Sequence, residues 1–458
     1  MDRGHRVCLL LEREDPHPSE QAWLDTMLDR RGFTVRHIGA IRKDARERRA
    51  RRLRRVLEYL HFRGPHFQGL PRYVAKAERR PPPAAFRALT RLPLVRSARG
   101  LRLVYAAIAA VERALPRPEG ARAVLREIGP DVAVFGDSAT RASLTVSLAR
   151  AATQLGIPTL TWVASWDNLT TRPRLRAIPD RLLVWNEIQR TEAVELHAVP
   201  GDRIDVIGAP NFDLWFDRTA SPRAAFLGRV GLDPERPVIL WVGSATNRWE
   251  PPEPPLVERW VAGIRASTDE GLRRAGILIR PHPLRDDRWE SDLLAGDSGV
   301  AIWPRGDHAL PVDAARQDDY YDSIYHSAAV VGINTSAMIE ASIVGRPVFT
   351  FLDPAYEDSQ AGALHFSYLL ETNGGVLRVA PDLDRHYVHL AEALARKART
   401  DTRAFLERFV RPRGLHRPVT PIAADAIEAT AASARTRQAL SVLRLRPRRL
   451  NERRRDTA

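Results

Sequence analysis

The stretch Ala329–Phe351, AVVGINTSAMIEASIVGRPVFTF, decides the fold. Ala329 to Ile333 is a short apolar run with the length and composition of a buried parallel strand. It breaks at Asn334-Thr335-Ser336, where Asn334 or Thr335 can cap a helix and leave backbone N–H groups facing outward. Met338, Ile339 and Ile343 fall near helical spacing, so a helix is expected from Ser336 to Val344, stopped by Gly345. After Arg346-Pro347, Val348 to Phe351 reads as a second apolar strand. Together these make one βαβ unit whose helix begins at the carboxyl edge of a sheet, where anionic ligands bind. Glu340, one turn into that helix, can accept two hydrogen bonds from a diol such as a ribose. An ordinary exposed helix glutamate has the same spacing.

The same alternation runs outward in both directions. Upstream, Val7–Glu12, a helix over Ser19–Arg31 and Phe33–Ile38 open a parallel sheet. Asp131–Phe135 ends in Gly136-Asp137-Ser138, Thr159–Val163 ends in Ala164-Ser165-Trp166-Asp167-Asn168, and Asp205–Gly208 ends in Ala209-Pro210-Asn211-Phe212-Asp213. Strand ends therefore deliver small polar residues to one edge. Residues 217–237, rich in Arg, Pro and Asp, read as a linker. Val238–Val242 opens a second sheet and ends in Gly243-Ser244, where backbone N–H groups can approach a phosphate. Ile277–Ile279 runs into Arg280-Pro281-His282-Pro283. The two prolines restrict the backbone around His282, which with Arg280 can offset the charge of a diphosphate. Beyond Phe351 a polar loop carries Asp358 and Gln360, followed by His365.

Composition bounds the rest. A chain of 458 residues is long enough for two to three domains. No apolar run approaches the length of a transmembrane helix, and Met1-Asp2-Arg3-Gly4-His5 does not open a secretory signal. A single cysteine, Cys8, excludes an intrachain disulfide framework and fits a cytoplasmic protein. The net charge of +15 is unevenly spread: residues 41–100 hold eighteen Arg/Lys against four Asp/Glu, and 433–458 hold nine against two. Without these two excesses, of fourteen and seven, the remaining body carries about −6. The basic helix over Arg42–Leu60, with Leu53, Val56, Leu57 and Leu60 on one side, can lie on the anionic inner face of a membrane or pack on its own domain. No recognisable nucleic-acid-binding module accompanies it. Cys pairs, HExxH, strand-end Asp-x-Asp, the Walker signature and Gly-x-Ser-x-Gly are all missing, so neither a bound metal nor a separate cofactor is expected.

The arrangement N-T-S-x-x-x-E-x-x-x-x-G-x-P over residues 334–347 resembles the donor-nucleotide motif of GT-B glycosyltransferases. VFGDSATRASLTVSLARAATQLGIPTLTWVAS and RLLVWNEIQRTEAVELHAVPGDRIDVIGAPNFD resemble the second half of the N-terminal domain in UDP-N-acetylglucosamine 2-epimerases and surface-polysaccharide glycosyltransferases. Arg280-Pro-His282-Pro resembles the donor motif of the CDP-glycerol glycerophosphotransferases. The resemblance spans roughly residues 128–430. It departs from the epimerases, because Gly-Ser-Ala-Thr-Asn replaces their Thr-x-His-Arg. It departs from the glycerophosphotransferases too, because Gly332-Ile-Asn-Thr-Ser stands where they carry Ser/Thr-Asp-Tyr-Ser-Ser.

What the resemblance implies is an α/β, GT-B-like fold of two Rossmann-like parallel-sheet domains facing across a cleft, with a basic helical insertion in the first. The first domain would span 1–216 with the insertion at 40–127, followed by the linker 217–237. The nucleotide-binding domain would span 238–410, a helix over 411–440 would cross back, and 441–458 would be a basic disordered tail. The implied activity is metal-independent transfer of a sugar from a nucleotide-activated donor to a cell-surface glycan or lipid-linked acceptor. Gly243, Ser244, Arg280, His282, Asn334, Thr335, Ser336 and Glu340 would hold the donor nucleotide. Ser165, Asn168, Asp358, Gln360 and His365 would lie on the sugar or acceptor side. Asp167, then Asp137, would serve as acceptor-side base, and His282 would act at the departing diphosphate. A 2-epimerase or a glycerophosphotransferase on the same fold remains open, as does a non-catalytic scaffold on a membrane surface or nucleic acid.

Overall fold

The computed structural model describes residues 3–445, apart from 12–20, 22–23, 26, 31, 40–44, 80, 116–118, 137–142, 246–249, 284–288, 290–293, 295, 305–312 and 397–398. Among the described residues there are twelve strands: β1 (Val7–Leu11), β2 (Phe33–His37), β3 (Ala133–Phe135), β4 (Thr159–Trp162), β5 (Arg181–Val184), β6 (Ile204–Val206), β7 (Val238–Val242), β8 (Gly276–Arg280), β9 (Val300–Ile302), β10 (Ala329–Val331), β11 (Val348–Phe351) and β12 (Leu377–Ala380). Every pairing between them is parallel. The first domain holds a β3-β4-β5-β6 sheet and a separate β1-β2 pair; the second holds a six-stranded sheet in the order β12-β11-β10-β7-β8-β9. That second order is the doubly wound one, and it reverses between β7 and β10.

Continuous apolar runs form these strands because both sheet faces are covered. All five residues of β7 are buried. Leu240, Val242, Val330 and Val348 face one layer, with Met338 and Ile339 of the helix Ala337–Ile343. Ile239, Trp241, Val331 and Phe349 face the other, with Val257 and Trp260 of the helix Pro254–Arg265 and Leu390 of the helix Leu383–Arg396. The expected linker is largely structured. Arg223–Val230 is a helix that buries Phe226, Leu227 and Val230 in the first of these layers. Its three large apolar residues at helical spacing were masked by Arg, Pro and Asp around them.

A long helix, Val419–Leu445, does cross back, laying Val419, Ile422 and Ala423 on Leu160, Leu183 and Ile207 of the first domain. It runs past residue 440, into the stretch expected to be a disordered tail; residues 446–458 lie outside the described residues. Asp213 anchors its start. The carboxylate accepts from Val419 N at 2.9 Å, Thr420 N at 2.6 Å and Arg411 Nη2 at 2.7 Å. Burial would raise this carboxyl, but these donors outweigh it and hold it below the usual range. The stabilisation is therefore present above the unfolded carboxylate pKa and lost as pH falls through the lowered folded value. Asp213→Ala is expected to lower stability by about 2–4 kcal/mol, read from the urea midpoint, since it removes a cap and orphans Arg411.

The insertion is built of helices, among them Ala45–Phe62, Pro71–Glu78, Ala98–Ala114 and Glu119–Ile128. Of the two readings of the basic helix, its apolar side follows the one in which it packs on its own domain: Val56, Leu57 and Leu60 lie on Leu101, Ile108 and Ala109 of the helix Ala98–Ala114. No described helix is long and apolar enough to cross a membrane.

Candidate functional site

The carboxyl ends of β7, β8 and β10 meet at the point where the strand order reverses. Two glycines make that approach possible. A Cβ on Gly243 would lie 2.6 Å from His282 N, and one on Gly332 would lie 2.9 Å from Val242 O. Ser244 and Asn334 therefore sit on either side of the switch point, Asn334 N donating to Ser244 Oγ at 3.4 Å. Of the two residues expected to cap the helix, Thr335 makes the bond and Asn334 does not. The residue before the helix Ala337–Ile343 is Ser336, whose side chain makes no cap bond, while Thr335 Oγ1 accepts from Ala337 N at 3.4 Å. Ser244 N–H, expected to face a phosphate, donates to Glu253 Oε1 at 2.8 Å. Burial pushes that carboxyl up to about 7 despite the bond.

Asn334 is free to act elsewhere because it does not cap. Its Nδ2 donates to Ser359 O at 2.6 Å, which fixes the amide orientation, and lies 3.3 Å from His365 Nε2. Asn334 Oδ1 is buried without a hydrogen-bond partner. His365 reaches the first domain: its Nδ1 is 3.2 Å from Thr170 Oγ1, and its ring stands edge-on to Trp166 at 4.9 Å. With Nε2 accepting from Asn334, Nδ1 carries the proton and donates to Thr170, whose hydroxyl donates to Asp167 O at 3.0 Å. The Asp167 carboxylate accepts from Ser165 Oγ at 2.6 Å and Thr171 Oγ1 at 3.3 Å. Burial would raise the Asp167 carboxyl, but His365 and the Ser165 hydroxyl hold it low. Burial pushes the His365 imidazole down to about 4, against the pull of Asp167. At neutral pH the corner holds a carboxylate beside a neutral imidazole.

The other expected donor residues form a second cluster. Arg280 Nη1 pairs with Asp319 Oδ2 at 2.9 Å and donates to Ser323 Oγ at 2.7 Å, and its guanidinium lies 5.1 Å over the Tyr320 ring. Tyr320 in turn donates to Glu340 Oε2 at 2.5 Å, and burial pushes the Glu340 carboxyl up to about 7. Arg280 is thus turned onto the helix Ala314–Tyr325, and one Glu340 oxygen is committed to a tyrosine. That helix starts at Ala314 behind an Asp313 cap, so Asp318 and Asp319 lie inside it and not at its N-terminus. Gln360 is buried, its amide donating to Phe351 O at 2.7 Å and accepting from Asp353 N at 3.2 Å. It holds its loop and does not face a sugar. Asp358 meets the insertion, Asn168 begins a short helix, and Asp137 lies outside the described residues.

Sequence reasoning missed that the insertion bridges the two domains beside this corner. From the helix Pro71–Glu78, Lys76 donates to Thr171 O of the first domain and Arg72 to Asp358 O of the second. Tyr73 OH accepts from Leu364 N at 3.2 Å, and Arg79 lies 3.8 Å from the Asp358 carboxylate. Lys76, one of three lysines in the chain, was the local signal. Glu192 was missed as well. It is buried, accepts from Tyr368 OH across the domain boundary, and is pushed up to about 8 chiefly by burial. A carboxyl raised in the folded state binds its proton more tightly there than in the unfolded chain. Its contribution is full below about pH 4.5 and disappears as pH climbs to about 8. Glu192→Gln is therefore expected to flatten the loss of melting temperature between pH 6.5 and 8, worth a few kcal/mol at on the order of 1.4 per pH unit.

No protein-family model matches the sequence, and no curated protein matches it significantly. Solved structures of similar fold include the UDP-GlcNAc 2-epimerase of Neisseria meningitidis bound to UDP-GlcNAc, at 13% identity and a TM-score of 0.46, covering 93% of this chain and 99% of that one. They include S. aureus MnaA with UDP, at 12% identity and a TM-score of 0.47, covering 92% and 95%. Acinetobacter baumannii MurG matches at 12% identity and a TM-score of 0.45, covering 93% and 92%. Strand order, independent of those matches, makes the second domain a doubly wound, Rossmann-like unit, with a second all-parallel α/β sheet in the first domain.

Proposed function

We propose that the chain binds a nucleotide-diphosphate sugar in the crevice between the ends of β7 and β10 and transfers the sugar to a glycan or lipid-linked acceptor. The observation that carries this is Asn334. It stands at the switch point of a doubly wound sheet with a buried acceptor left unpaired among the described residues, while its amide nitrogen touches His365, whose ring meets Trp166 beside Asp167. An orphaned Oδ1 is satisfied by a ligand hydroxyl or N–H. His282, two residues beyond the end of β8 and with its backbone nitrogen beside Gly243, would meet the diphosphate. Thr335 and Ser336 border the same opening. Arg280 acts at one remove, by orienting Tyr320 and through it Glu340.

In the transfer, the acceptor oxygen bonds to the anomeric carbon as the bond from that carbon to the diphosphate oxygen breaks. The acceptor proton passes to neutral His365, and the Asp167 carboxylate stabilises the imidazolium that results. This assigns the base to His365, whose ring meets Thr170 of the first domain and Asn334 of the second, and gives Asp167 the supporting charge. Incubation with UDP-, CDP- and GDP-sugars and lipid-linked acceptors, read by mass spectrometry, tests the reading. Free nucleoside diphosphate with glycosylated acceptor is expected. Epimerised donor, or glycerophosphate transferred from CDP-glycerol, would replace the transferase with another chemistry, and no turnover of any donor would overturn it.

A further inference from the structure

The helix Ala98–Ala114 is apolar nearly all the way round, and only half of it is covered. Leu101, Ile108, Ala109 and Glu112 face inward. On the opposite side Leu103, Ala106, Ala107, Ala110, Val111 and Ala114 follow one another at helical spacing and are all exposed. Leu103 is 72% and Val111 55% exposed. Leu92 and Leu94, at 52% and 86% exposure, extend this ridge. They lie over the start of the helix because Gly100 lets the Leu94 carbonyl come close; a Cβ there would sit 1.9 Å from Leu94 O. A contiguous exposed apolar face of this kind marks an interaction surface.

Charge says what meets it. Between Glu78 and Glu119 the chain carries nine arginines and a single acid, Glu112. That acid is buried and neutralised, by Arg54 at 2.9 Å and by Arg150. Arg91, Arg99 and Arg102 are exposed and border the leucines. An apolar ridge edged by arginine, with no exposed carboxylate in its sequence neighbourhood, is complementary to a surface that is apolar inside and negative at its rim. We infer that the ridge Leu92–Leu94, Leu103 and Val111 docks the protein on an anionic lipid bilayer, the leucines entering the headgroup boundary and the arginines meeting lipid phosphates. Lipid therefore meets a different face of the insertion from the basic helix at its start, whose apolar side is interior. The inference stands whether or not a nucleotide sugar is the substrate, and its test needs no nucleotide.

The full chain is mixed with phosphatidylcholine vesicles, with and without phosphatidylglycerol, and bound protein is measured by flotation. Binding to the anionic vesicles is expected, with little to the neutral ones and a steep decline with salt. Leu94→Ser combined with Leu103→Ser, at two exposed sites that leave the core and the arginine-rich tail untouched, is expected to lower binding at least about tenfold, given the apolar surface removed. Arg99→Ala with Arg102→Ala is expected to weaken binding to anionic vesicles alone. No binding to anionic vesicles would overturn the inference. So would binding that the leucine changes leave intact, which would assign it to the basic tail. A concentration-dependent dimer abolished by the same leucine changes would assign the ridge to a second copy of the chain.

Discussion

Replacing His365 with alanine is expected to lower turnover of a nucleotide sugar about 10²–10⁴-fold, the range carried by a general base, while donor affinity changes only a few-fold. The geometry behind this is the contact of His365 with both domains at once, through Thr170 on one side and Asn334 on the other. Burial pushes the imidazole down to about 4, so it is neutral and able to accept a proton across the physiological range. Asp167→Asn separates position from charge. Without the carboxylate the imidazolium loses its support, so the acid limb of the pH–rate profile should move to lower pH and the plateau should fall. The apparent values belong to the pair and not to either residue alone. A folded His365→Ala protein with undiminished turnover would remove the histidine from the mechanism.

Glu112→Ala is expected to cost about 3–5 kcal/mol of stability, the largest single loss from any charged residue outside the cleft. Its carboxylate joins three helices. Arg54 Nε reaches Oε1 at 2.9 Å from the first helix of the insertion, and Arg150 Nη1 reaches it at 3.0 Å from the helix Ser143–Gln154 of the first domain. Arg150 Nη2 also bonds Oε2. Truncation takes the carboxylate away from two guanidinium groups that have only 6% and 10% of their side chains exposed. Burial would raise the Glu112 carboxyl, but the two arginines hold it below the usual range. Its stabilisation is thus lost only as pH falls through that lowered value. Urea unfolding should report the loss, and proteolysis should first cut the insertion, which this ion pair fastens to the domain. Replacing all three residues with leucine should recover most of the loss, since a packed apolar trio avoids stranded charge.

Much of the fold was legible because both sheets bury strands on two faces, and such strands announce themselves as unbroken apolar runs. Val238–Val242 and Val348–Phe351 occupy the strands expected of them. The helix expected over 411–440 came from the resemblance and not from any periodicity of its own, and it begins later, at Val419. Other features were hidden for physical reasons. The helix Arg223–Val230 has only three large apolar residues, in a charged, proline-flanked stretch, so composition masked it. Strand ends were recognisable as polar breaks, but side-chain direction was not. Arg280 turns onto Asp319 and Ser323 because a buried guanidinium needs partners, and Gln360 turns inward to satisfy its own loop. The Thr170–His365 contact joins residues 195 apart in sequence, with nothing local in either loop to announce it. The bridging role of Pro71–Glu78 was equally silent, since the basic composition around it pointed outward.

The central claim is that the switch point between β7 and β10 is a nucleotide-sugar site completed by the unpaired Asn334 oxygen. Calorimetric titration of the full chain with UDP-, CDP- and GDP-sugars, repeated on Asn334→Ala, tests it most directly. The account predicts saturable binding of at least one donor and a loss of about tenfold or more in affinity on losing the Asn334 amide. A folded protein that binds none of them, or binds one equally well without Asn334, would contradict it.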